Sequence, residues 1–125
     1  MTNWQKDELV AISKDPNLYI SIPNADGTIH NPAWIWIAQS GNELFCRGYS
    51  GTAARWYQSA QREGLGHISV GGVEKDVRFE FIRDEETNDK VDEGYRQKYA
   101  GSAYLAPMIN NRARQSTVKL IPINE

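Results

Sequence analysis

Residues 47–57 read Arg47-Gly48-Tyr49-Ser50-Gly51-Thr52-Ala53-Ala54-Arg55-Trp56-Tyr57, and this stretch decides the fold. Just before it, Leu44, Cys46 and Gly48 alternate with Phe45, Arg47 and Tyr49, which is the period of a strand and sets Arg47 between two aromatics. Within it, Thr52 is a helix-capping residue. Ala53, Trp56, Tyr57 and Ala60 then share one helical face, and Gly64 supplies the C-terminal stop. The stretch therefore predicts a strand, a small polar turn and a short connecting helix.

Working toward the N-terminus, Ser40-Gly41-Asn42 is a turn, and Ala33 to Ala38 is apolar on both alternating faces. A strand carries that pattern when both sides are covered, one by the core and the other by a partner subunit. Leu18 to Ile22 is a strand stopped by Pro23, followed by the hairpin turn Asn24-Ala25-Asp26-Gly27 and a second strand. Thr2 and Gln5 have capping-box spacing ahead of the apolar stripe Leu9, Ala11 and Ile12, which predicts an N-terminal helix ending at Asp15-Pro16.

Toward the C-terminus, His67 to Val70 and Val77 to Phe81 read as strands around Gly71-Gly72. Asn88 is placed to cap a helix carrying Val91, Tyr95 and Tyr99, in which Gly94 costs about 1 kcal/mol relative to alanine. Ala103 to Ala113 is irregular or briefly helical, and Thr117 to Ile121 closes the chain as a strand. The expectation is a mainly β protein with short helices, folded as one domain over 1–125.

Composition narrows the function. With 125 residues and 40% hydrophobic side chains the chain supports one core without disulfide or metal staples. A net charge of -2 argues against a nucleic-acid partner, because phosphate binding needs a basic face. No apolar run approaches the ~20 residues of a membrane span, and the polar start lacks a signal-peptide core, so no membrane association and a cytoplasmic location are expected. Cys46, the single cysteine, sits beside Leu44 and Phe45 as a buried small hydrophobe. His30 and His67 stand at no metal-ligand spacing, and the acids from Asp84 to Glu93 lack the pattern of a calcium loop. No metal is expected, and the acids read as a solvated helix start.

Three features point to a small-molecule ligand. The turn Ser50-Gly51-Thr52 at a helix start offers N–H groups to an anion, with Arg47 and Arg55 to neutralise it; the competing reading has Thr52 as a cap and both arginines as cover for apolar surface. Trp34, Trp36, Trp56 and Tyr57 have the chemistry to wall a slot for a flat conjugated ring, or to pack the core. Adjacent on one helix, Trp56 and Tyr57 are expected to face different ways, one of them toward a loop or partner. The irregular stretch from Tyr99 through Tyr104 to Arg112 and Arg114 joins phenols and cations suited to a substrate or an acidic tail, or to a packed lid. A Gly-x-Ser-x-Gly hydrolase elbow and a dinucleotide fingerprint are both missing from the sequence.

Pro32-Ala33-Trp34-Ile35-Trp36, Arg55-Trp56-Tyr57, Lys75-Asp76-Val77, Tyr95-Arg96-Gln97-Lys98-Tyr99 and Tyr104-Leu105-Ala106-Pro107-Met108 resemble the small bacterial proteins called domain of unknown function 2255, over nearly the whole chain. Their order is also similar, in part, to deazaflavin-dependent nitroreductases of the FMN-binding split-barrel superfamily. That resemblance implies a six-stranded split β-barrel, commonly a homodimer, with FMN or deazaflavin near the subunit interface. It implies that Arg47, Ser50, Gly51 and Thr52 meet the cofactor's phosphate-bearing tail and that Trp56-Tyr57 begin the neighbouring helix. Where those reductases tend to have a lysine beside the glycines and a proline before Trp-Tyr, this chain has Tyr49-Ser50-Gly51 and Ala54-Arg55, so the charge would fall to Arg47 or Arg55. The function expected is a flavin- or deazaflavin-binding oxidoreductase-like protein, in which Tyr99, Tyr104 and Arg112 meet substrate and the cofactor does the chemistry. The alternative is a non-catalytic split-barrel module that binds a small ligand or a partner and has lost the cofactor site.

Overall fold

The computed structural model describes residues 4–23, 28 and 32–123. Thr2, the turn at 24–27 and His30 lie outside the described residues. Helix α1, Lys6–Ser13, starts after Gln5, whose backbone N–H donates to Glu8 Oε1 at 2.8 Å, and it buries Leu9 and Ile12. Trp4 just ahead of it donates from Nε1 to the carbonyl of Leu120 at 3.0 Å, tying the start of the chain to its last strand.

Seven strands follow among the described residues: β1 Leu18–Ser21, β2 Ala33–Ile35, β3 Ile37–Ser40, β4 Glu43–Cys46, β5 Leu65–Val70, β6 Val73–Phe81 and β7 Val118–Pro122. They form one antiparallel sheet in the order β2-β1-β5-β6-β7-β4-β3. The two edge strands are neighbours in the chain, separated by Trp36 alone. Ala33 to Ile35 pairs with β1 at one edge, and Ile37 to Ser40 pairs with β4 at the other. One continuous run thus brings both edges together, which curls the sheet into a nearly closed barrel and protects strand edges from outside pairing. The expected count of six becomes seven because the Ala33 to Ala38 run breaks at Trp36.

That run is also less covered than its apolar pattern predicts. Ile37 and Ala38 are fully buried on opposite faces, but Trp34 is 61% exposed, its Nε1 donating to Asn17 Oδ1 at 2.6 Å.

Four further helices are α2 Arg55–Glu63, α3 Glu85–Lys98, α4 Leu105–Met108 and α5 Asn111–Arg114, with a 3-10 turn over Gly51–Ala53. Thr52 lies inside that turn, and Ala54 is the residue that enters α2. The left-handed Gly64 ends α2 as expected. Helix α3 is capped by Asp84, which accepts from the Thr87 N–H at 2.9 Å, while Asn88 is buried one turn further in. Two apolar clusters result. One fills the barrel with Leu18, Ile20, Ile68, Val77, Leu120 and their neighbours, under α1 and α2. The other, built on Ala38, Phe45, Val91, Tyr95, Tyr99 and Met108, lies between β3 and β4 and the helices α3 and α4. Trp56 and Tyr57 both join the first cluster, against the expectation that they would part. Residues one apart on a helix diverge by only about 100°. A helix seated deeply enough buries both, and here Tyr57 meets Trp56 and Phe81 edge-on at ring separations of 5.9 and 5.6 Å.

Candidate functional site

Where β2 gives way to β3, the barrel wall opens into a cleft of about 440 Å³ lined by Trp34, Ile35, Trp36, Tyr49, Tyr104 and Met108. The local reasons are visible in each element. The break between the two edge strands presents Trp34 and Trp36 at the seam. The end of β4 at Cys46 releases Tyr49, and α4 supplies Met108 directly after the exposed Tyr104. Trp36 is held flat by stacking on Tyr99, with ring centroids 3.8 Å apart and planes within 2° of parallel. Tyr99 is itself fixed, its hydroxyl donating to the carbonyl of Pro16 at 2.6 Å and accepting from the Ile37 N–H at 3.1 Å. Burial pushes its phenol up to about 12, so it stays protonated at neutral pH. Trp34, Tyr49 and Tyr104 are 61%, 51% and 64% exposed, an unusual grouping of solvent-facing aromatics around one opening.

Arg47 borders this cleft with its side chain fully enclosed. Nε donates to Thr117 Oγ1 at 2.8 Å, Nη1 to Asp92 Oδ1 and to the Met108 carbonyl at 3.1 Å, and Nη2 to both the carbonyl and Oδ1 of Asn88 at 3.0 Å. A guanidinium has five N–H donors, and all five are used. Arg47 is expected from the sequence to meet an anion; in the structure its donors are directed inward, and it braces β4, α3, α4 and the approach to β7. Burial pulls its pKa down while the bond to Asp92 holds it up. Asp92 also takes Arg114 on its other oxygen. The acids Asp84 to Glu93 were expected to be a solvated start of the helix, yet Asp92 is buried and serves this network.

The small turn is likewise occupied with its own folding. The N–H groups of Gly51, Ala53 and Ala54 donate to Gly48, Ser50 and Gly51, and that of Gly48 to Ser116 Oγ at 2.8 Å. Gly51 is needed because a Cβ there would lie 2.6 Å from the carbonyl oxygen of Arg112, so α5 packs directly on the turn. Ser50 and Thr52 remain exposed, as does Arg55 at the head of α2, which makes no ion pair among the described residues.

Of the residues proposed for a ring slot, Trp34 and Trp36 come together, whereas Trp56 is in the barrel core. Of those proposed for substrate, Tyr104 lines the cleft, Tyr99 supports it from behind Trp36, and Arg112 stands beside it, its guanidinium carbon 5.8 Å from the centre of the Tyr49 ring. Ile35, Tyr49 and Met108 were not singled out from the sequence; Tyr49 stood in the quoted stretch, but only the fold faces it toward Trp36. Cys46 is buried, and burial pushes its thiol far above the usual range. Among the described residues no group of three potential ligands gathers for a metal, and no helix is long and apolar enough to cross a membrane.

A nearly closed antiparallel barrel seamed at Trp36, with an aromatic cleft on the seam, defines a split-barrel protein. The chain belongs to the family described as an uncharacterized protein conserved in bacteria (DUF2255), whose model matches residues 8–120. Solved structures share the fold at low identity. A conserved hypothetical protein from Mycobacterium tuberculosis is 12% identical with a TM-score of 0.70, over 99% of this chain and 82% of that one. HutZ, the heme storage protein from Vibrio cholerae, is 13% identical with a TM-score of 0.70, over 96% and 91%. An F420 reductase is 14% identical with a TM-score of 0.56, over 91% and 92%. No curated protein matches the chain by sequence.

Proposed function

We propose that this protein binds a flat conjugated cofactor, a flavin or a deazaflavin, in the aromatic cleft and acts as an oxidoreductase-like protein. The observation that carries the reading is the grouping of Trp34, Trp36, Tyr49 and Tyr104 around about 440 Å³ of largely apolar space, which suits a flat ring system. Support also comes from the F420 reductase that shares the fold. Trp34, Trp36 and Tyr104 would hold the ring, while Arg112 beside Tyr49, with Arg55, Ser50 and Thr52 on the exposed side of the turn, would meet an anionic tail. When bound, such a group supplies hydride transfer. The cleft's own residues position it, screen it from water and, through the Trp36 and Tyr99 stack, keep one wall rigid. A second copy of the chain covering Trp34 and Tyr104 would complete a homodimeric site.

The internal use of all five Arg47 donors favours a second reading, a ligand-binding module that has lost the cofactor's phosphate site. The visible spectrum of the purified protein, together with titration of FMN and of deazaflavin into the stripped form, separates the two. Saturable binding of either supports the first reading, and failure of both to bind sinks it. Sedimentation with and without ligand tests the dimer.

A further inference from the structure

The stretch Tyr95-Arg96-Gln97-Lys98-Tyr99 carries an amine that neither the core nor the aromatic cleft uses. Its two tyrosines are buried, whereas Lys98, in the last turn of α3, is half-buried at the wall of an opening of about 370 Å³ that Ser13, Gln39, Gly94 and Gln97 also line. Two other lysines are half-buried, and each is paired: Lys75 with Glu8 at 2.8 Å, and Lys119 with Glu43 and Glu80. Among the described residues Lys98 pairs with no carboxylate, and no carboxylate lines the opening. Nζ donates to the carbonyl of Ile12 at 3.2 Å and lies 5.8 Å from the centre of the Tyr99 ring. That carbonyl also accepts from the Asp15 N–H at 3.1 Å, so a neutral amine at Lys98 strands no acceptor. Asp15 itself turns its two oxygens to the N–H groups of Asn17 and Gly71, at 3.0 and 2.8 Å. An ammonium that loses hydration without gaining an ion pair is disfavoured, and burial pulls Lys98 down to about 8 against the opposing field of Asp15.

We propose that Lys98 is a nucleophilic amine and that the opening it walls is a site for a small uncharged aldehyde, which Lys98 takes as an imine. A half-buried, unpaired lysine is the form in which this side chain acts as a nucleophile. An anionic ligand would hold the ammonium charged, so an uncharged carbonyl compound is the class that fits. The Nζ lone pair adds to the carbonyl carbon while the C=O π electrons move to oxygen. Proton transfer from nitrogen to that oxygen and loss of water then leave the C=N bond, with no oxidant or reductant consumed. The opening shares no lining residue with the aromatic cleft and does not depend on a cofactor there.

The test treats the full chain with propanal and sodium cyanoborohydride, whose hydride fixes each imine as a secondary amine, and follows the rate at every lysine by peptide mass spectrometry. At pH 7 an amine titrating near 8 is about one-tenth neutral, against about one part in three thousand for an ordinary lysine. Lys98 is therefore expected to react at least about tenfold faster than the exposed Lys6, Lys14 and Lys90, even after its lower basicity and partial burial reduce that advantage. The lead should shrink at pH 10, where the exposed amines also become neutral, and vanish when the chain is unfolded in urea. Reaction of Lys98 no faster than the exposed lysines at pH 7 overturns the proposal. So does a lead that is undiminished at pH 10, which would assign it to access, or one that survives unfolding, which would assign it to local sequence.

Discussion

The guanidinium of Arg47 and the carboxylate of Asp92 form an ion pair inside the protein, joining the end of β4 to the middle of α3. Two charges this deep are stable only as a hydrogen-bonded set, and removing one partner strands the others. Arg47→Ala is expected to lower the free energy of unfolding by about 3–5 kcal/mol, read from urea denaturation. Arg47→Lys should recover only part of it, because an ammonium with three donors cannot span Asp92, Asn88, Thr117 and the Met108 carbonyl.

Tyr99→Phe keeps the ring stacked on Trp36 and deletes the hydroxyl that bridges Pro16 and Ile37. The loss is expected to be about 1–3 kcal/mol, since the buried Ile37 N–H is left without that acceptor. Hydrogen exchange at Ile37 should speed up more than exchange in β6.

Gly94 lies within α3, where alanine is ordinarily favoured by about 1 kcal/mol. Here a Cβ would stand 2.6 Å from the carbonyl oxygen of Gln39, because α3 rests directly on β3. Gly94→Ala is therefore expected to destabilise by about 1–3 kcal/mol, the cost of overpacking exceeding the gain in helix propensity. A thermal midpoint above that of the wild type would show that the helix can move away.

Tyr104 is exposed and belongs to neither apolar cluster. If the aromatic cleft holds a flavin or deazaflavin, Tyr104→Ala should weaken cofactor binding about tenfold through loss of one ring contact, with the thermal midpoint of the free protein unchanged. Equal affinities would remove Tyr104 from the site.

His67 on β5 bonds Asp76 and Glu74 on β6, at 2.9 and 3.2 Å, and the Asp76 bond is the main cause of a pKa raised above 6.5. A base whose folded pKa is raised binds more protons in the native state, so its contribution is complete below about pH 6.5 and fades as pH rises through the folded value. His67→Gln should be less stable than the wild type near pH 5.5, and the difference should shrink as pH rises through the raised folded pKa. A difference that is constant across this range would mean that His67 acts by packing alone.

Much of the barrel was legible because its causes are local. The alternation of Val77, Phe79 and Phe81 and the turn at Gly71-Gly72 predict the β5 and β6 hairpin, and the face shared by Ala53, Trp56, Tyr57 and Ala60 predicts α2. Side-chain period and turn chemistry are carried by neighbouring residues, so they can be read from order alone. The first misreadings arose where a second element intruded. Thr52 has the chemistry of a cap, but it lies inside a 3-10 turn on which α5 packs, and Ala54 holds the cap position of α2.

The candidate site divides in the same way. Residues 47–57, read in order, determine a strand that ends, a small tight turn and a helix that begins with Trp56 and Tyr57. They also determine that charge and aromatic surface lie close together there. Only the tertiary structure decided how each was used. Asp92, Asn88 and Thr117 lie 41 to 70 positions from Arg47 along the chain, and their convergence turns the expected anion-binding arginine into an internal brace. The seam at Trp36, which needs both sheet edges to meet, places Trp34 and Tyr104 around one cleft and leaves Trp56 in the core. Long-range pairing and burial assign these roles, and neither is encoded in the spacing of residues along a strand or a turn.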